Sequence, residues 1–161
     1  MDLERNYYCE HLKLMGNGFE FTAIHPSLTK CKTAVEASIA EVRRIEQFLS
    51  TYNQLSEVNQ INANAGISPV VVSDELIQLI IRANHISKLT QGAFDITYGG
   101  VDKRLWNFDQ TMTELPNAAT AKASVSLVNY KNIIVDYERS SVFLAHKGMR
   151  IGFGGIGKGY A

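Results

Sequence analysis

The first 25 residues show a period of two, which is the spacing of β-strands. One alternating set is Tyr8, Glu10, Leu12 and Leu14, and the next is Phe19, Phe21 and Ala23. Residues 15–18, Met-Gly-Asn-Gly, separate the sets, so we predict an antiparallel hairpin with its turn there. Met15 then lies at a strand end beside two glycines, where backbone can approach a flat ligand. Its alternative role is that of a core methionine that fills a gap.

After Pro26 and Ser27 the period lengthens to three and four residues. Its apolar positions are Val35, Ile39, Val42, Ile45 and Leu49. This spacing predicts a helix with one buried face that runs to about Ser50. Tyr52 follows in a short connection, where a large ring can be partly exposed and available for stacking.

Two further helices are each preceded by a serine that can cap the first turn. Ser56 begins a short helix that ends near Gly66, and Ser73 begins a longer one that Gly92 ends. A short strand is predicted between them at residues 70–72. The buried stripe of the longer helix is Leu76, Leu79, Ile80, Ala83, Ile86 and Leu89.

The residues directly after Gly92 are small, flat and charged in turn: Ala93, Phe94 and Asp95. A carboxylate near a helix C-terminus is disfavoured by the helix dipole. We therefore expect Asp95 to have a compensating partner or a ligand.

The remainder is predicted to be irregular from residue 98 to residue 116, with Trp106 either pinning this loop or serving a function. A helix is then expected over residues 117–127. Strands at residues 132–135 and 141–145 would form a hairpin, and residues 149–151 would return as another strand.

The final ten residues, 152–161, read Gly-Phe-Gly-Gly-Ile-Gly-Lys-Gly-Tyr-Ala. A glycine turn followed by a helix start presents backbone N–H groups to an anion, and Lys158 adds a positive charge. A phosphate group is the expected partner. The letters also satisfy G-x-G-x-x-G and G-x-x-x-x-G-K, but the context that either nucleotide motif requires is missing. The alternative is that the glycines only allow a helix to pack against a strand.

Composition and charge narrow the function classes. The chain has 161 residues, of which 45% are hydrophobic, and its 16 basic residues balance 16 acidic ones. We expect one soluble domain with no transmembrane segment. Because the charges balance, no net electrostatic field is expected to attract nucleic acid or an anionic bilayer. Cys9 and Cys31 are expected to be free thiols, and the scattered histidines suggest no zinc site.

Five motifs then line up in one order. They are Met15-Gly-Asn-Gly-Phe19, Leu49-Ser-Thr-Tyr52 with Ser56-Glu-Val-Asn-Gln-Ile-Asn62, Gly92-Ala-Phe-Asp95, Leu105-Trp-Asn-Phe108 and Gly154-Gly-Ile-Gly-Lys-Gly-Tyr-Ala161. Together they resemble the ApbE family, the FAD:protein FMN transferases. The resemblance implies an α+β fold in which an antiparallel sheet packs against helices.

The resemblance also implies an activity. Such a protein would bind FAD as substrate together with Mg²⁺, and would transfer FMN to a threonine of an acceptor flavoprotein with release of AMP. Residues 1–161 would form a single domain that matches the N-terminal half of the family pattern and is truncated at its C-terminal end. Family members are often lipoproteins outside the cytoplasm, but this chain shows no lipobox cysteine.

Residue roles follow from the resemblance position by position. The residues implied to contact FAD are Met15, Tyr52, Ala93, Phe94, Asp95, Gly154 and Lys158. A backbone carbonyl at Gly155 would contact the metal, and no catalytic residue is assigned. Gly152 departs from the pattern, because the family commonly has aspartate there.

Two alternatives remain at this point. One is a non-enzymatic FAD-binding module or an inactive fragment, which would bind FAD without transferring FMN. The other is a scaffold whose glycines serve packing alone, which would bind no flavin.

Overall fold

The computed structural model describes residues 6–101 and 117–161. These form two compact units: Met1–Phe48 together with Gly157–Ala161, and Leu49–Ile156. Helices accompany antiparallel sheets in the described residues, which confirms the predicted α+β class. Residues 102–116, which include Trp106 and the Leu105–Phe108 motif, lie outside the described residues.

The first unit begins with the predicted hairpin. Strands β1 (Asn6–Leu14) and β2 (Asn17–His25) pair antiparallel, with Leu14 opposite Asn17. The turn is therefore tighter than predicted and consists of Met15 and Gly16, whose φ angles are 48° and 75°. Positive φ at both positions is typical of a type I′ turn, whose twist matches that of the flanking strands.

Helix α1 (Leu28–Phe48) packs against both strands of the hairpin. Its buried residues are Cys31, Val35, Ile39, Val42 and Ile45. This is the predicted apolar stripe with Cys31 added one helical turn earlier, so the spacing of three and four residues located the buried face.

The second unit combines short helices with a three-stranded sheet. Its elements are α2 (Glu57–Ala63), β3 (Val70–Val71), α3 (Asp74–Leu89), α4 (Ala118–Ser124), a 3-10 turn (Tyr130–Asn132), β4 (Ile133–Asp136) and β5 (Ser141–Leu144). Strand β5 is central and pairs antiparallel with β3 and β4. The elements predicted between residues 56 and 145 are present in the described residues, although the helix expected over residues 117–127 ends at Ser124.

The serine caps are confirmed. Ser56 Oγ accepts a hydrogen bond from the Asn59 N–H at 3.1 Å, and Ser73 Oγ accepts one from the Leu76 N–H at 3.4 Å. Helix α3 ends at Leu89, and both Gln91 (φ 54°) and Gly92 (φ 87°) then adopt left-handed conformations, with the Gly92 N–H donating to the Ser87 carbonyl at 2.8 Å.

The strand predicted at residues 149–151 was wrong. This segment is extended, but its only described bridge joins Arg150 to Tyr98 in parallel. A side chain supplies the partners that a neighbouring strand would have supplied, because both backbone polar groups of Ile151 bond to the Asn62 amide. A helix at Gly157–Tyr160, named α5, follows and belongs to the first unit.

The core of the second unit holds this extended segment in place. Met149, Ile151 and Phe153 are each at most 3% exposed. Arg150 between them is exposed, whereas Gly152 is also buried, so the chain is enclosed continuously from Ile151 to Phe153. Within the described residues, no helix is both long and apolar enough to cross a bilayer.

Candidate functional site

An exposed glycine turn follows the buried segment of the second unit. Phe153 is 3% exposed, whereas Gly154 and Gly155 are both classed as exposed. The turn is closed by a hydrogen bond from the Ile156 N–H to the Phe153 carbonyl at 3.0 Å. The main chain thus emerges from the core and presents backbone without side chains at the surface.

Aromatic side chains lie against both glycines of this turn. A β-carbon at Gly154 would lie 2.9 Å from the Tyr98 hydroxyl oxygen, and one at Gly155 would lie 3.2 Å from Phe94 Cε2. Neither distance leaves room for a side chain without some movement of the ring. The structure therefore brings together Phe94, Gly154 and Gly155, which the sequence had assigned to one site.

Asn62 anchors the chain that leads into the turn. Its Nδ2 donates to the Ile151 carbonyl at 3.0 Å, and its Oδ1 accepts from the Ile151 N–H at 2.7 Å. The Gly152 N–H donates to the Ile96 carbonyl at 2.8 Å. Because Asn62 is only 6% exposed, these bonds are shielded from water. The sequence analysis missed this role, for which the signal was a polar side chain on the buried face of α2.

Gly152 has room for a β-carbon. Such an atom would meet only the Gly99 Cα, at 4.0 Å, which is ordinary van der Waals contact. Gly99 itself is constrained, because a β-carbon there would lie 3.0 Å from the Arg150 carbonyl oxygen. The backbone therefore does not require glycine at position 152, where the family pattern commonly has aspartate.

Asp95 has the compensating partners that its position predicted. Its Oδ1 accepts from the Thr97 N–H at 2.8 Å and the Thr97 hydroxyl at 2.7 Å, and its Oδ2 accepts from the Tyr130 N–H at 2.8 Å. The Thr97 Oγ1 also accepts from the Asn129 N–H at 2.8 Å. This carboxylate joins the segment after α3 to the 3-10 turn before β4. A contact between Asp95 and FAD stays a prediction.

Ala93 and Tyr52 occupy exposed connections of the same unit. The Ala93 N–H donates to the Thr90 carbonyl at 3.0 Å. Ala93 is exposed at the surface. Tyr52 is 84% exposed, and its N–H donates to Ser50 Oγ at 3.2 Å. The predicted exposure of Tyr52 is confirmed, so its ring is accessible for stacking.

Met15 and Lys158 belong to the first unit. Met15 has a positive φ, and its N–H donates to Glu46 Oε1 at 2.6 Å. A non-glycine residue in this conformation costs about 1–3 kcal/mol, and it persists only where its surroundings hold it. The Glu46 carboxylate, from α1, supplies that constraint. Lys158 is exposed on α5.

No described residue of the second unit belongs to a group of three or more His, Cys, Asp or Glu that could share one metal ion. In residues 6–101 and 117–161, only Cys9, His11 and Glu20 group closely enough to share one metal ion, and they lie on the hairpin. Magnesium prefers oxygen ligands, usually with one or two carboxylates. The backbone carbonyl of Gly155 therefore remains the one metal contact predicted at the turn.

Comparison with known proteins identifies the fold and the family. A family model described as the ApbE family matches residues 15–161. The chain belongs to the ApbE family. An FAD:protein FMN transferase of Klebsiella pneumoniae is 35% identical to this ApbE chain over 119 residues. A transferase of the same description from Treponema pallidum is 29% identical over 132 residues.

Solved ApbE structures share the fold along nearly the whole chain. The ApbE protein of Thermotoga maritima superimposes with a TM-score of 0.83 at 28% identity, over 96% of this chain and 50% of that protein. The flavin transferase ApbE of Vibrio cholerae gives 0.81 at 19% identity, which shows the fold alone. The sequence alignment with the Klebsiella relative covers 74% of this chain and 37% of that protein. The chain thus spans about half or less of the proteins that it matches.

Proposed function

We propose that this chain is the FAD-binding part of an FAD:protein FMN transferase. The exposed turn at Gly154 and Gly155 carries the proposal, because it presents backbone without side chains at a surface where Tyr98 and Phe94 lie close to it. The names of the relatives and the membership of the family support the same function.

In the proposed reaction, the hydroxyl oxygen of a threonine on an acceptor flavoprotein attacks the phosphorus nearer to riboflavin. A new P–O bond forms, and the bond from that phosphorus to the bridging oxygen breaks. AMP leaves with the bridging oxygen, and the hydroxyl proton passes to a base or to solvent. FMN is then attached to the threonine as a phosphodiester.

The pyrophosphate of FAD is assigned to the glycine turn. Backbone N–H groups bind phosphate oxygens well where no β-carbon intervenes, and Gly154 and Gly155 provide such backbone. Asn62 bonds to both backbone polar groups of Ile151, which lies three residues before Gly154. The turn is therefore held in place before the ligand binds. Lys158 follows in the sequence and supplies a positive charge for the phosphates.

The ring systems of FAD are assigned to flat or flexible side chains. Tyr52 is exposed for stacking, and Phe94 lies against Gly155, so an aromatic face adjoins the proposed phosphate site. Met15 would contact the flavin with a polarisable side chain. Ala93 and Asp95 would form the wall beside it.

Magnesium would neutralise charge on the bridging and leaving oxygens when bound. Within this chain only the Gly155 carbonyl is proposed as a contact. No described residue of the second unit belongs to a group of three or more His, Cys, Asp or Glu that could share the ion, so no side chain is proposed as a further contact.

Two measurements test the function. FAD titration followed by flavin fluorescence should show binding that exceeds riboflavin binding, since only FAD carries the pyrophosphate. A chimera in which residues 15–161 replace the matching part of the Klebsiella relative should place FMN covalently on an acceptor, with AMP released only when Mg²⁺ is present. The intact Klebsiella protein is the positive control, and mass spectrometry reads the product.

The outcomes separate the alternatives. A folded chimera that binds FAD but leaves the acceptor unmodified would favour a non-enzymatic flavin-binding module. Absence of FAD binding by both the chain and the chimera would favour a scaffold in which the glycines serve packing.

A further inference from the structure

The hairpin of the first unit places three potential metal ligands on one of its faces. Cys9 and His11 are two residues apart on β1, and Glu20 on β2 is the register partner of His11. Side chains two apart on a strand share a face, and directly opposed residues have β-carbons about 4.5–5.5 Å apart. We call Cys9, His11 and Glu20 the hairpin cluster.

The ligand atoms of the hairpin cluster lie close together, although the sequence contains no metal-binding motif at these positions. Cys9 Sγ lies 3.3 Å from His11 Nε2, and His11 Nδ1 lies 3.6 Å from Glu20 Oε2. One ligand atom from each residue can be chosen so that all lie within 4.8 Å of one another. Ligand atoms around tetrahedral zinc are about 3.5 Å apart, as bond lengths of 2.0–2.3 Å dictate. Small side-chain rotations would therefore bring the set onto one ion.

We propose that the hairpin cluster binds one Zn²⁺ ion through Cys9 Sγ, one ring nitrogen of His11 and a carboxylate oxygen of Glu20. Thiolate, imidazole and carboxylate are all zinc ligands, whereas magnesium and calcium select oxygen alone. Three protein ligands leave the fourth tetrahedral position for water or for a ligand from another molecule. On binding, the thiol of Cys9 releases its proton to solvent and the thiolate forms the Zn–S bond.

The surroundings suit an accessible site of this kind. The side chains of His11 and Glu20 are 69% and 61% exposed, so an ion can reach them and they can rotate. Thr22, the register partner of Cys9, donates to the second oxygen of Glu20 at 3.4 Å, which orients the carboxylate.

The sequence analysis expected no zinc site, because the histidines are scattered along the chain and the two cysteines do not have the spacing of metal ligands. The third ligand comes from the opposite strand, and the register that positions it depends on the two-residue turn. A four-residue turn at residues 15–18 would not have placed Glu20 opposite His11. The inference does not depend on FAD binding or on FMN transfer.

The test uses the untagged 161-residue chain titrated with Co²⁺ and then with Zn²⁺. One equivalent of Co²⁺ should produce a thiolate-to-cobalt charge-transfer band in the near ultraviolet, and Zn²⁺ should abolish it. Cys9→Ser should remove the band. His11→Gln and Glu20→Gln should each weaken Zn²⁺ binding by about tenfold or more, since each removes one of three protein ligands.

His85→Gln is the matched control, because His85 is an exposed histidine on α3 outside the cluster. It should bind Zn²⁺ as the unmodified chain does. Zn²⁺ should also slow alkylation of Cys9, while Cys31, which is 1% exposed, reacts slowly with or without the ion. A cobalt spectrum without the charge-transfer band, or equal losses from His11→Gln and His85→Gln, would overturn the proposal. Circular dichroism would check that each variant keeps its fold.

Discussion

At the scale of single residues, Tyr52 is a large aromatic residue that is exposed at the surface. Its ring is 84% exposed and lies in the connection before the Ser56 cap. Stacking of one ring on a base is worth about 1–3 kcal/mol. We expect Tyr52→Ala to weaken FAD binding by roughly 5- to 150-fold by fluorescence titration.

The Tyr52 prediction has controls at other aromatic positions. Tyr52→Phe should keep most of the affinity, because it preserves the ring. Tyr137→Ala, which removes another exposed tyrosine, should leave FAD binding unchanged, and Trp106→Ala should cost less than Tyr52→Ala. Equal losses in Tyr52→Ala and Tyr137→Ala would reject the stacking role.

Lys158 is expected to act through its charge. Lys158→Ala should weaken FAD binding by about tenfold or more and riboflavin binding little, because only FAD has phosphates that can pair with the ammonium group. Lys158→Arg should retain most of the affinity. The measurement is a pair of titrations with FAD and riboflavin, and a parallel loss for both ligands would make the residue structural.

Residue-scale features differed in how well the sequence predicted them. Ser56, Ser73 and the need of Asp95 for a partner follow from neighbours within a few positions. Glu46 and Asn62 were missed, since each bonds to backbone far along the chain, at Met15 and at Ile151. Local spacing carries no signal for such pairs.

At the scale of elements, the side-chain amide of Asn62 links α2 to the segment before the glycine turn through two hydrogen bonds. Asn62→Ala would leave the N–H and C=O of Ile151 unpaired in a buried place, and each unsatisfied group costs about 1–3 kcal/mol. We therefore expect a loss of roughly 2–5 kcal/mol in the free energy of unfolding, measured by urea denaturation.

Asn64 provides the matched control for this element. It lies at the C-terminal end of α2, and its side chain bonds within the helix to the Gln60 carbonyl at 2.9 Å. Asn64→Ala should cost about 1 kcal/mol or less. A similar loss in both variants would mean that Asn62 acts only through helix stability.

Elements that depend on periodicity were predicted well. The hairpin, α1 and α3 repeat apolar residues over several turns or pleats, so their buried faces could be assigned. The prediction of a strand at residues 149–151 failed. A short apolar run fits a strand, but it does not reveal whether its hydrogen-bond partners come from another strand or from a side chain.

At the scale of the whole molecule, binding and transfer are expected to separate. The second unit offers an exposed glycine turn, but none of its described residues belongs to a group of three or more His, Cys, Asp or Glu that could share a metal ion. We predict that the 161-residue chain binds FAD and places little or no FMN on an acceptor protein. Mass spectrometry of the acceptor at matched FAD and Mg²⁺, beside the Klebsiella relative, measures this. Comparable transfer by both proteins would show that this chain carries the required metal ligands.

We expect a trade-off between stability and FAD binding at Met15, because its conformation is left-handed and its side chain is proposed to contact FAD. A type I′ turn favours asparagine followed by glycine, and Gly16 already occupies the second position. Met15→Asn should therefore raise the melting temperature, by a gain of up to about 1 kcal/mol, while it weakens FAD binding. A higher melting temperature together with weaker FAD binding would fit the proposed contact of Met15 with FAD, whereas unchanged FAD binding would contradict that contact.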